Sequence, residues 1–435
     1  MRFNNTIEYL YSLQQYGMKF GLDNISRLMS ELGDPHQAFR TIHVAGTNGK
    51  GSTAAMLESM LRTGRINTGL FTSPHLVSFT DRIKVNNTEI SQEDLIQLAD
   101  EVRSVVERTD DFSPTFFEVV TAMAFLYFRK MKVHWAVMET GMGGRLDATN
   151  IISPEVSVIT SIGYDHRDFL GNSLSDIARE KAGIIKDQVP VVTSVQVPEV
   201  MKVIQNRAAE TASELFSYGS EFSATLASDN IESVWMDYYG RREYEDLHIP
   251  LAGEHQIMNA SLAVKTAEII SEKYQYMDID VRKGLENTVW SGRLEMAGNA
   301  PDILIDGAHN PPAAEALARH LKKMLASKYK RIILILGIMA DKDIKGVMQP
   351  LLPMASEIIF AAPAYGRAAS VERLSAYADS LGFSSRKADS VSDALSAAED
   401  LYREGDIIVV TGSFYTIGEA KEALGSKGVL TRLRE

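Results

Sequence analysis

Apolar side chains recur along the chain with two spacings, one typical of helices and one typical of buried strands. Residues 4–32 carry apolar positions at helical spacing on both sides of a glycine-containing break, which predicts two helices before the first strand. Short β-branched runs then alternate with longer amphipathic segments. We predict strands at residues 41–45, 68–71, 133–139, 155–161 and 189–195, and helices at residues 53–62, 91–108, 116–129 and 174–186.

Strand and helix patterns alternate more regularly after residue 301, which predicts a parallel, doubly wound sheet. A stretch rich in Gly, Asn and Pro precedes this region, so we place a domain boundary after residue 296 and predict domains at residues 1–296 and 297–435. Residues 200–250 are polar with aromatic interruptions, and they predict an irregular segment with an antiparallel excursion or insertion.

Composition and charge narrow the class of protein. A chain of 435 residues exceeds what one core usually supports, and a net charge of −12 disfavours a nucleic-acid partner. Zero cysteines exclude disulfides, thiolate metal sites and a thiol nucleophile. The sequence shows neither a secretory leader nor a run of about 18 apolar residues. We therefore expect a cytoplasmic protein without a membrane partner.

A glycine-rich turn follows the first predicted strand, and it reads Gly46-Thr47-Asn48-Gly49-Lys50-Gly51-Ser52. Its glycines let backbone N–H groups approach an oxyanion, and the predicted helix that follows adds the positive end of its dipole. Lys50 suits the β- and γ-phosphates of a nucleotide, and the hydroxyl of Ser52 or Thr53 suits Mg²⁺. The spacing departs from GxxxxGK[ST], because Val44 occupies the place of the first glycine and Gly51 follows the lysine.

Polar groups also follow other strands of the first domain. Ser73, Glu139 and His166 come shortly after predicted strands, where α/β sheets bind ligands. The carboxylate of Glu139 suits a nucleotide's Mg²⁺ at this position, and the alternative is a strand end exposed to solvent. A single histidine such as His166 is more often structural than a ligand. Their common placement favours ligands. Lys181 lies among apolar residues, and its spacing alone is typical of a lysine whose stem covers apolar surface.

The second domain has its own polar strand ends. Asp306, His309 and Asn310 follow one predicted strand, and Ser413 follows another. No GxGxxG sequence follows a strand, so a dinucleotide site is not supported. A phosphate loop in one domain and separate polar strand ends in the other predict a reaction assembled in the cleft between them.

Eight motifs in order resemble those of the folylpolyglutamate synthase/dihydrofolate synthase family, a branch of the ATP-dependent amide ligases that includes the Mur ligases. They are GTNGKGS (46–52), TSPHL (72–76), ETGMGGRLDATN (139–150), DH (165–166), REKAG (179–183), GEHQ-x-x-NA (253–260), GRLE (292–295) and DGAHNP (306–311). The resemblance implies an α/β fold, in which a P-loop ATPase-like Mur ligase central domain precedes a C-terminal Rossmann-like domain. It also accounts for the irregular phosphate loop.

The resemblance further implies that ATP phosphorylates a carboxylate of a folate or of dihydropteroate, and that L-glutamate attacks the acyl phosphate. Carried over by motif, nucleotide positions are Gly46, Thr47, Asn48, Gly49, Lys50, Gly51, Ser52, Asn259, Arg293 and Asp306, and magnesium positions are Ser73, Glu139 and His166. Catalytic positions are Lys50, Lys181 and His309, and substrate positions are His75, Arg82 and Ser413. Lys181 matches a lysine that is carbamylated in the family, which reverses the interpretation from spacing and predicts two Mg²⁺ ions. The family is typically monomeric.

Other classes stay open at this stage. A Mur-type ligase of cell-wall synthesis usually has a further N-terminal substrate domain, whereas about 40 residues precede the phosphate loop here. The loop spacing and the lack of an NKxD-like sequence disfavour a P-loop kinase or GTPase, and a non-catalytic ATP-binding module would show no turnover. The sequence does not decide between dihydropteroate and folates as acceptors, nor the linkage and length of any polyglutamate.

Overall fold

The computed structural model describes residues 2–17, 21–109 and 112–426. Within these residues the chain forms two large α/β sheets and one small antiparallel sheet. The first large sheet comes from the N-terminal half of the chain, and the second comes from the C-terminal third. The predicted α/β fold is therefore confirmed.

Eight strands of the described residues form the first sheet. They are β1 (Arg40–Ala45), β2 (Thr68–Phe71), β3 (Ile83–Val85), β4 (Thr88–Glu89), β5 (Trp135–Glu139), β6 (Val156–Ile159), β7 (Val191–Thr193) and β8 (Leu215–Ser217). Their order is β4-β3-β2-β5-β1-β6-β7-β8, and β3 and β4 make the antiparallel edge of an otherwise parallel sheet. The helices of this region are α1 (Arg2–Ser12), α2 (Asp23–Glu31), α3 (Lys50–Thr63), α4 (Gln92–Glu107), α5 (Phe116–Lys130), α6 (Arg167–Leu170), α7 (Leu174–Ala182) and α8 (Pro198–Glu210).

Parallel pairing brings the ends of the central strands to one edge. β1 lies between β5 and β6, with Val44 opposite Glu139 and Ala45 opposite Ile159. These strands are buried along their whole length past Arg40, as expected of a parallel sheet that is covered on both faces. The residues that follow β1, β5 and β6 therefore meet around the phosphate loop.

The segment after β7 is more regular than its composition suggests. Helix α8 buries Val200, Ile204 and Ala208, which recur every four residues within a polar segment. Strand β8 then pairs with β7 and extends the first sheet. The expectation of an irregular segment was therefore wrong for residues 198–217. The predicted antiparallel excursion is confirmed for β9 (Ser223–Asp229), β10 (Val234–Tyr239) and β11 (Glu243–Ile249).

This small sheet packs on α9 (His255–Lys273), which is followed by α10 (Val281–Glu286). A hydrogen bond of 3.1 Å from the Tyr238 hydroxyl of β10 to Glu268 joins sheet and helix, and Glu268 also forms a buried ion pair at 3.2 Å with Lys265 of the same helix. Breaking a buried pair of this kind is strongly destabilising, so α9 is firmly held. The same helix carries Asn259 to the phosphate loop.

The second large sheet is doubly wound, as predicted. Its strands among the described residues are β12 (Glu295–Asn299), β13 (Asp302–Ile305), β14 (Arg331–Leu336), β15 (Glu357–Ala361), β16 (Arg386–Ala388) and β17 (Asp406–Thr411), in the order β12-β13-β17-β14-β15-β16. Its helices are α11 (Pro311–Ser327), α12 (Ile344–Leu351), α13 (Val371–Ser380), α14 (Val391–Leu401) and α15 (Phe414–Ala423). Only β12 is antiparallel in this sheet, and the predicted boundary after residue 296 falls inside that strand.

Across the described residues, no helix has the length and apolar character needed to cross a membrane.

Candidate active site

A cavity of about 1410 Å³ lies between the two α/β units, and residues from both line it. The lining includes these predicted residues: Thr47, Asn48, Gly49, Lys50, Gly51, Ser52, Ser73, Arg82, Glu139, His166, Lys181, Asn259, Arg293, Asp306, His309 and Ser413. Two other predicted residues, Gly46 and His75, lie behind this lining and contact it. The fold thus gathers in one place side chains that are distant in the sequence.

The phosphate loop connects β1 to α3 by a tight turn. Thr47 and Asn48 donate backbone N–H bonds to the carbonyl of Ser161 at 2.8 and 3.3 Å, which ties the loop to the end of β6. Gly49 has φ +91°, and a Cβ at this position would lie 2.2 Å from Oδ1 of Asn259. Only glycine fits such a position without strain. The first residues of α3, Lys50 to Ser52, line the cavity, and the unpaired N–H groups of a helix start suit an anion.

A buried carboxylate stands beside this loop. One oxygen of Glu139 lies 4.0 Å from Nζ of Lys50, and the other accepts the backbone N–H of Ser73 at 3.1 Å. Burial raises the pKa of Glu139, while Lys50, the Ser73 hydrogen bond, Arg293 and Arg82 oppose that rise. The carboxylate is therefore held among positive groups at the place where the phosphate loop opens.

An acid and two histidines link the two units at the far side of the loop. Asp165 accepts Nζ of Lys342 at 2.5 Å and lies 3.5 Å from Nε2 of His309. Burial alone would raise the pKa of Asp165, but His309, His166 and Lys342 together hold it below its usual range. Burial lowers the pKa of His166 to about 4, so its imidazole is neutral at pH 7 and has a lone pair available for a ligand.

Lys181 is buried rather than spread over an apolar surface. Its Nζ donates a hydrogen bond to the carbonyl of Gly46 at 2.7 Å, and only 5% of the surface of the residue is exposed. Burial and the charge of Lys50 lower the pKa of Lys181 to about 7. A substantial fraction of the amine is therefore unprotonated near neutral pH. The interpretation of this lysine from spacing alone was wrong, because its Nζ binds the phosphate loop at the wall of the cavity and its side chain does not extend over an apolar surface to solvent.

The second unit contributes three further groups. Both carboxylate oxygens of Asp306 accept backbone N–H bonds, from Leu294 at 3.0 Å and from Ala308 at 2.9 Å. The Arg293 guanidinium lies 4.5 Å from the centre of the Phe414 ring. Ser413 is buried, and its hydroxyl caps α15 by accepting the N–H of Thr416 at 3.0 Å.

Arg82 forms part of the cavity wall on the side of α5, and His75 lies behind it. Nε of Arg82 donates to Nδ1 of His75 at 2.8 Å, and the guanidinium lies over the rings of Phe79 and Phe116 at 5.7 and 5.5 Å. His75 thus orients Arg82 from behind rather than lining the cavity itself. The result is an aromatic wall that carries a positive charge.

Comparisons with known proteins match both parts of the chain. The chain matches the Mur ligase middle domain over residues 44–267 and the Mur ligase glutamate ligase domain over residues 292–414. It is 36% identical to the dihydrofolate synthase/folylpolyglutamate synthase of Bacillus subtilis over 426 residues, covering 96% of this chain and 97% of that one.

The chain belongs to the folylpolyglutamate synthase/dihydrofolate synthase family of Mur ligases. Members of this family are ligases that form carbon–nitrogen bonds. The solved structure of Mycobacterium tuberculosis folylpolyglutamate synthase complexed with ADP has a TM-score of 0.90 and 33% identity, covering 98% of this chain and all of that one. An Escherichia coli FolC structure in complex with DHPP and ADP has a TM-score of 0.85 and 31% identity, over 97% of each chain.

In this member of the family, a contact between the domains involves a residue that we had assigned no role. The side-chain amides of Asn48 and Asn310 exchange two hydrogen bonds of 3.2 and 2.9 Å, and Asn310 also caps α11. Asn48 belongs to the phosphate loop and Asn310 to the second unit, so this amide pair connects the loop to the opposite wall.

Lys342 was missed as well. Its position shortly after strand β14 was the available signal.

We predict that the amide pair helps to fix the phosphate loop for nucleotide. Replacing either Asn48 or Asn310 by alanine should raise the dissociation constant of Mg·ADP about tenfold, because each change removes both hydrogen bonds. The double variant should be no worse than the weaker single variant. Calorimetry measures these constants. Asn287→Ala, which changes an exposed asparagine outside the cavity, serves as the control, and additive losses in the double variant would contradict the pairing.

Proposed function

We propose that this protein is an ATP-dependent ligase that joins L-glutamate to a folate through an acyl phosphate. Dihydropteroate is a second acceptor that we propose for the same site. The observation that carries the proposal is the buried pair of Lys50 and Glu139 at a phosphate loop that faces Arg293 and His309 across one cavity. This arrangement suits a reaction between a nucleotide held by one domain and an amine presented by the other.

In the first step, an oxygen of the acceptor carboxylate attacks the γ-phosphorus of ATP, and the bond to the β,γ-bridging oxygen breaks. Two anions must approach each other, so positive charge around the transferring group is essential. Lys50 and the N–H groups at the start of α3 supply it from the first domain. We propose that Arg293 adds charge at the γ-phosphate and that Asp306 and Asn259 orient the nucleoside. ADP leaves with the electron pair of the broken bond.

In the second step, the amine of L-glutamate attacks the carbonyl carbon of the acyl phosphate. The tetrahedral intermediate loses inorganic phosphate, and the nitrogen gives up a proton to form the amide. We propose that His309 and Ser413 contact the incoming glutamate, and that His75 and Arg82 position the acceptor. The aromatic wall beside Arg82 suits the flat ring system of a folate.

The residues around Glu139 fit magnesium. The donor set that we propose comprises the Glu139 carboxylate, the Ser73 hydroxyl and the neutral imidazole of His166, and Mg²⁺ commonly uses one or two carboxylates together with substrate phosphates. When bound there, Mg²⁺ would neutralise charge on the phosphates during transfer. Glu139 is pre-positioned for it by the N–H of Ser73.

Lys181 fits carbamylation. Its pKa of about 7 leaves a nucleophilic amine near neutral pH. The protonated lysine first gives up one proton. The nitrogen lone pair then attacks carbon dioxide, a nitrogen–carbon bond forms while one carbon–oxygen π bond breaks, and the nitrogen releases a second proton. The product is an anion in place of a cation, which would support a second Mg²⁺ beside the phosphate loop. We further propose that the protein works in the cytoplasm as a monomer, since one chain supplies both walls of the cavity.

The proposed activity has a direct test. Purified protein should release phosphate only when ATP, Mg²⁺, L-glutamate and a reduced folate or dihydropteroate are all present. Lys50→Ala should lower kcat by at least about a hundredfold, because it removes the main cation at the transferring phosphoryl group. Lys202→Ala, at an exposed helix position away from the cavity, should leave the rate unchanged. Phosphate release without any folate or pteroate would overturn the assignment.

Carbamylation makes a separate prediction. The pKa of Lys181 is lowered from 10.5 to about 7, so the reactive amine is scarce below pH 7 and increases as the pH rises through 7. With ¹³C-labelled bicarbonate, a carbamate NMR signal should therefore grow between pH 6 and pH 8. Lys181→Ala should lack the signal and lose activity, and acetate should restore part of that activity. If the Lys181→Ala variant were fully active without acetate, the proposal that activity depends on a carbamate at Lys181 would be wrong.

A further inference from the structure

Three residues of the second domain form a surface in the cavity for which the reaction above has no use. We call it the tyrosine–arginine platform, and it consists of Tyr365, Arg367 and Tyr415. The two tyrosine rings stack with centroids 4.3 Å apart and planes 12° apart. Nη2 of Arg367 donates to the Tyr365 hydroxyl at 2.9 Å, and its guanidinium carbon lies 5.2 Å from the centre of the same ring.

The loop that carries Tyr365 and Arg367 follows β15 and is held at both ends. The N–H of Ala364 donates to the Glu419 carboxylate at 2.8 Å, and the N–H of Ala340 donates to the carbonyl of Arg367 at 2.8 Å. The N–H of Ala368 closes the turn onto the carbonyl of Tyr365 at 2.8 Å. The guanidinium is thus presented from a fixed backbone, which reduces the entropic cost of binding a ligand.

Arg367 forms no ion pair among the residues that the structure describes. Its guanidinium donates to the Tyr365 hydroxyl, and Asp341, which also lines the cavity, acts on it through its charge without forming an ion pair. Several acids of the cavity are already occupied, since Glu118 accepts the N–H of Thr115, Asp147 accepts two loop N–H groups and Asp165 accepts Lys342. A guanidinium has five donors, so most of those on Arg367 are left for an anionic ligand.

The platform adjoins the wall on which we place the acceptor. Burial and the neighbouring Tyr365 raise the pKa of Tyr415 to about 12, and the charges of Arg367 and Arg82 both oppose that rise. Arg82 in turn lies over the Phe116 ring and is close enough to Glu139 to lower the pKa of that acid. Glu139, Arg82 with its aromatic wall and the platform thus line one cavity, and the charge of Arg82 acts on both Glu139 and Tyr415. An acceptor whose reacting carboxylate is near Glu139 would extend toward Arg367.

We propose that Arg367, oriented by Tyr365, binds a carboxylate of glutamate already present on the acceptor and so favours glutamylated folates over dihydropteroate. This inference rests on the proposed function. A folate bears a glutamate with two carboxylates, one of which reacts while the other is free to bind a guanidinium. Dihydropteroate has a single carboxylate, which is the one that reacts, so it gains nothing from the platform.

The test compares acceptors in one variant. Arg367→Ala should raise the KM for tetrahydrofolate about tenfold, the loss expected for one charged hydrogen-bonded contact. The KM values for dihydropteroate, ATP and L-glutamate should stay within twofold. Arg367→Lys should show a smaller rise, because it keeps the charge without the planar fork. Arg386→Ala, which removes an exposed arginine outside the cavity, is the matched control.

Equal KM rises for both acceptors, or a rise confined to L-glutamate, would overturn the assignment of Arg367. Binding gives an answer that does not need turnover: calorimetry should show that Arg367→Ala weakens folate but not pteroate, which lacks the glutamate. Equal affinities of folate for the unaltered protein and for the variant would also contradict the proposal. A failure of the ligase assignment would look different, since the unaltered protein would then release no folate-dependent phosphate.

Discussion

The site depends on one buried carboxylate, that of Glu139. This residue lies at the end of strand β5 in the first sheet. Taking such a group out of water costs roughly several kcal/mol unless positive groups and hydrogen bonds replace its hydration. Here the replacement comes from several parts of the chain. Ser73 supplies an N–H, Lys50 supplies a charge from the phosphate loop, and Arg293 does so from the start of the second domain. The stability of this acid and the assembly of the site are therefore linked.

Lys50 also affects two neighbours besides Glu139. Its charge adds to burial in lowering the pKa of Lys181 to about 7, and it contributes in the same direction to His166. A phosphate group bound at Lys50 would offset that repulsion. The charge of the loop lysine thus couples the presence of an anion to the protonation of Lys181 and His166.

Much of this arrangement could be predicted from the sequence, because parallel strands bring their carboxyl ends to one edge. That rule alone was enough to group Ser73, Glu139 and His166, and glycine spacing was enough to find the phosphate loop. The rule for parallel strands could not predict the contacts between the domains. Asn48 and Asn310 are 262 positions apart, and Asp165 and Lys342 are 177 apart. Such pairs depend on how two separately folded sheets dock. The spacing of apolar residues along the chain carries no information about that docking. Lys181 shows the same limit, since its burial comes from packing against the phosphate loop.

The central claim is that the acceptor carboxylate is phosphorylated in the cavity between the domains. It can be tested with an acceptor in which both oxygens of the reacting carboxylate are ¹⁸O, turned over with ATP, Mg²⁺ and L-glutamate. The oxygen that attacks phosphorus should leave with it, so the account predicts one ¹⁸O in the inorganic phosphate for each amide formed. Inorganic phosphate without ¹⁸O, at a normal yield of amide, would contradict the account.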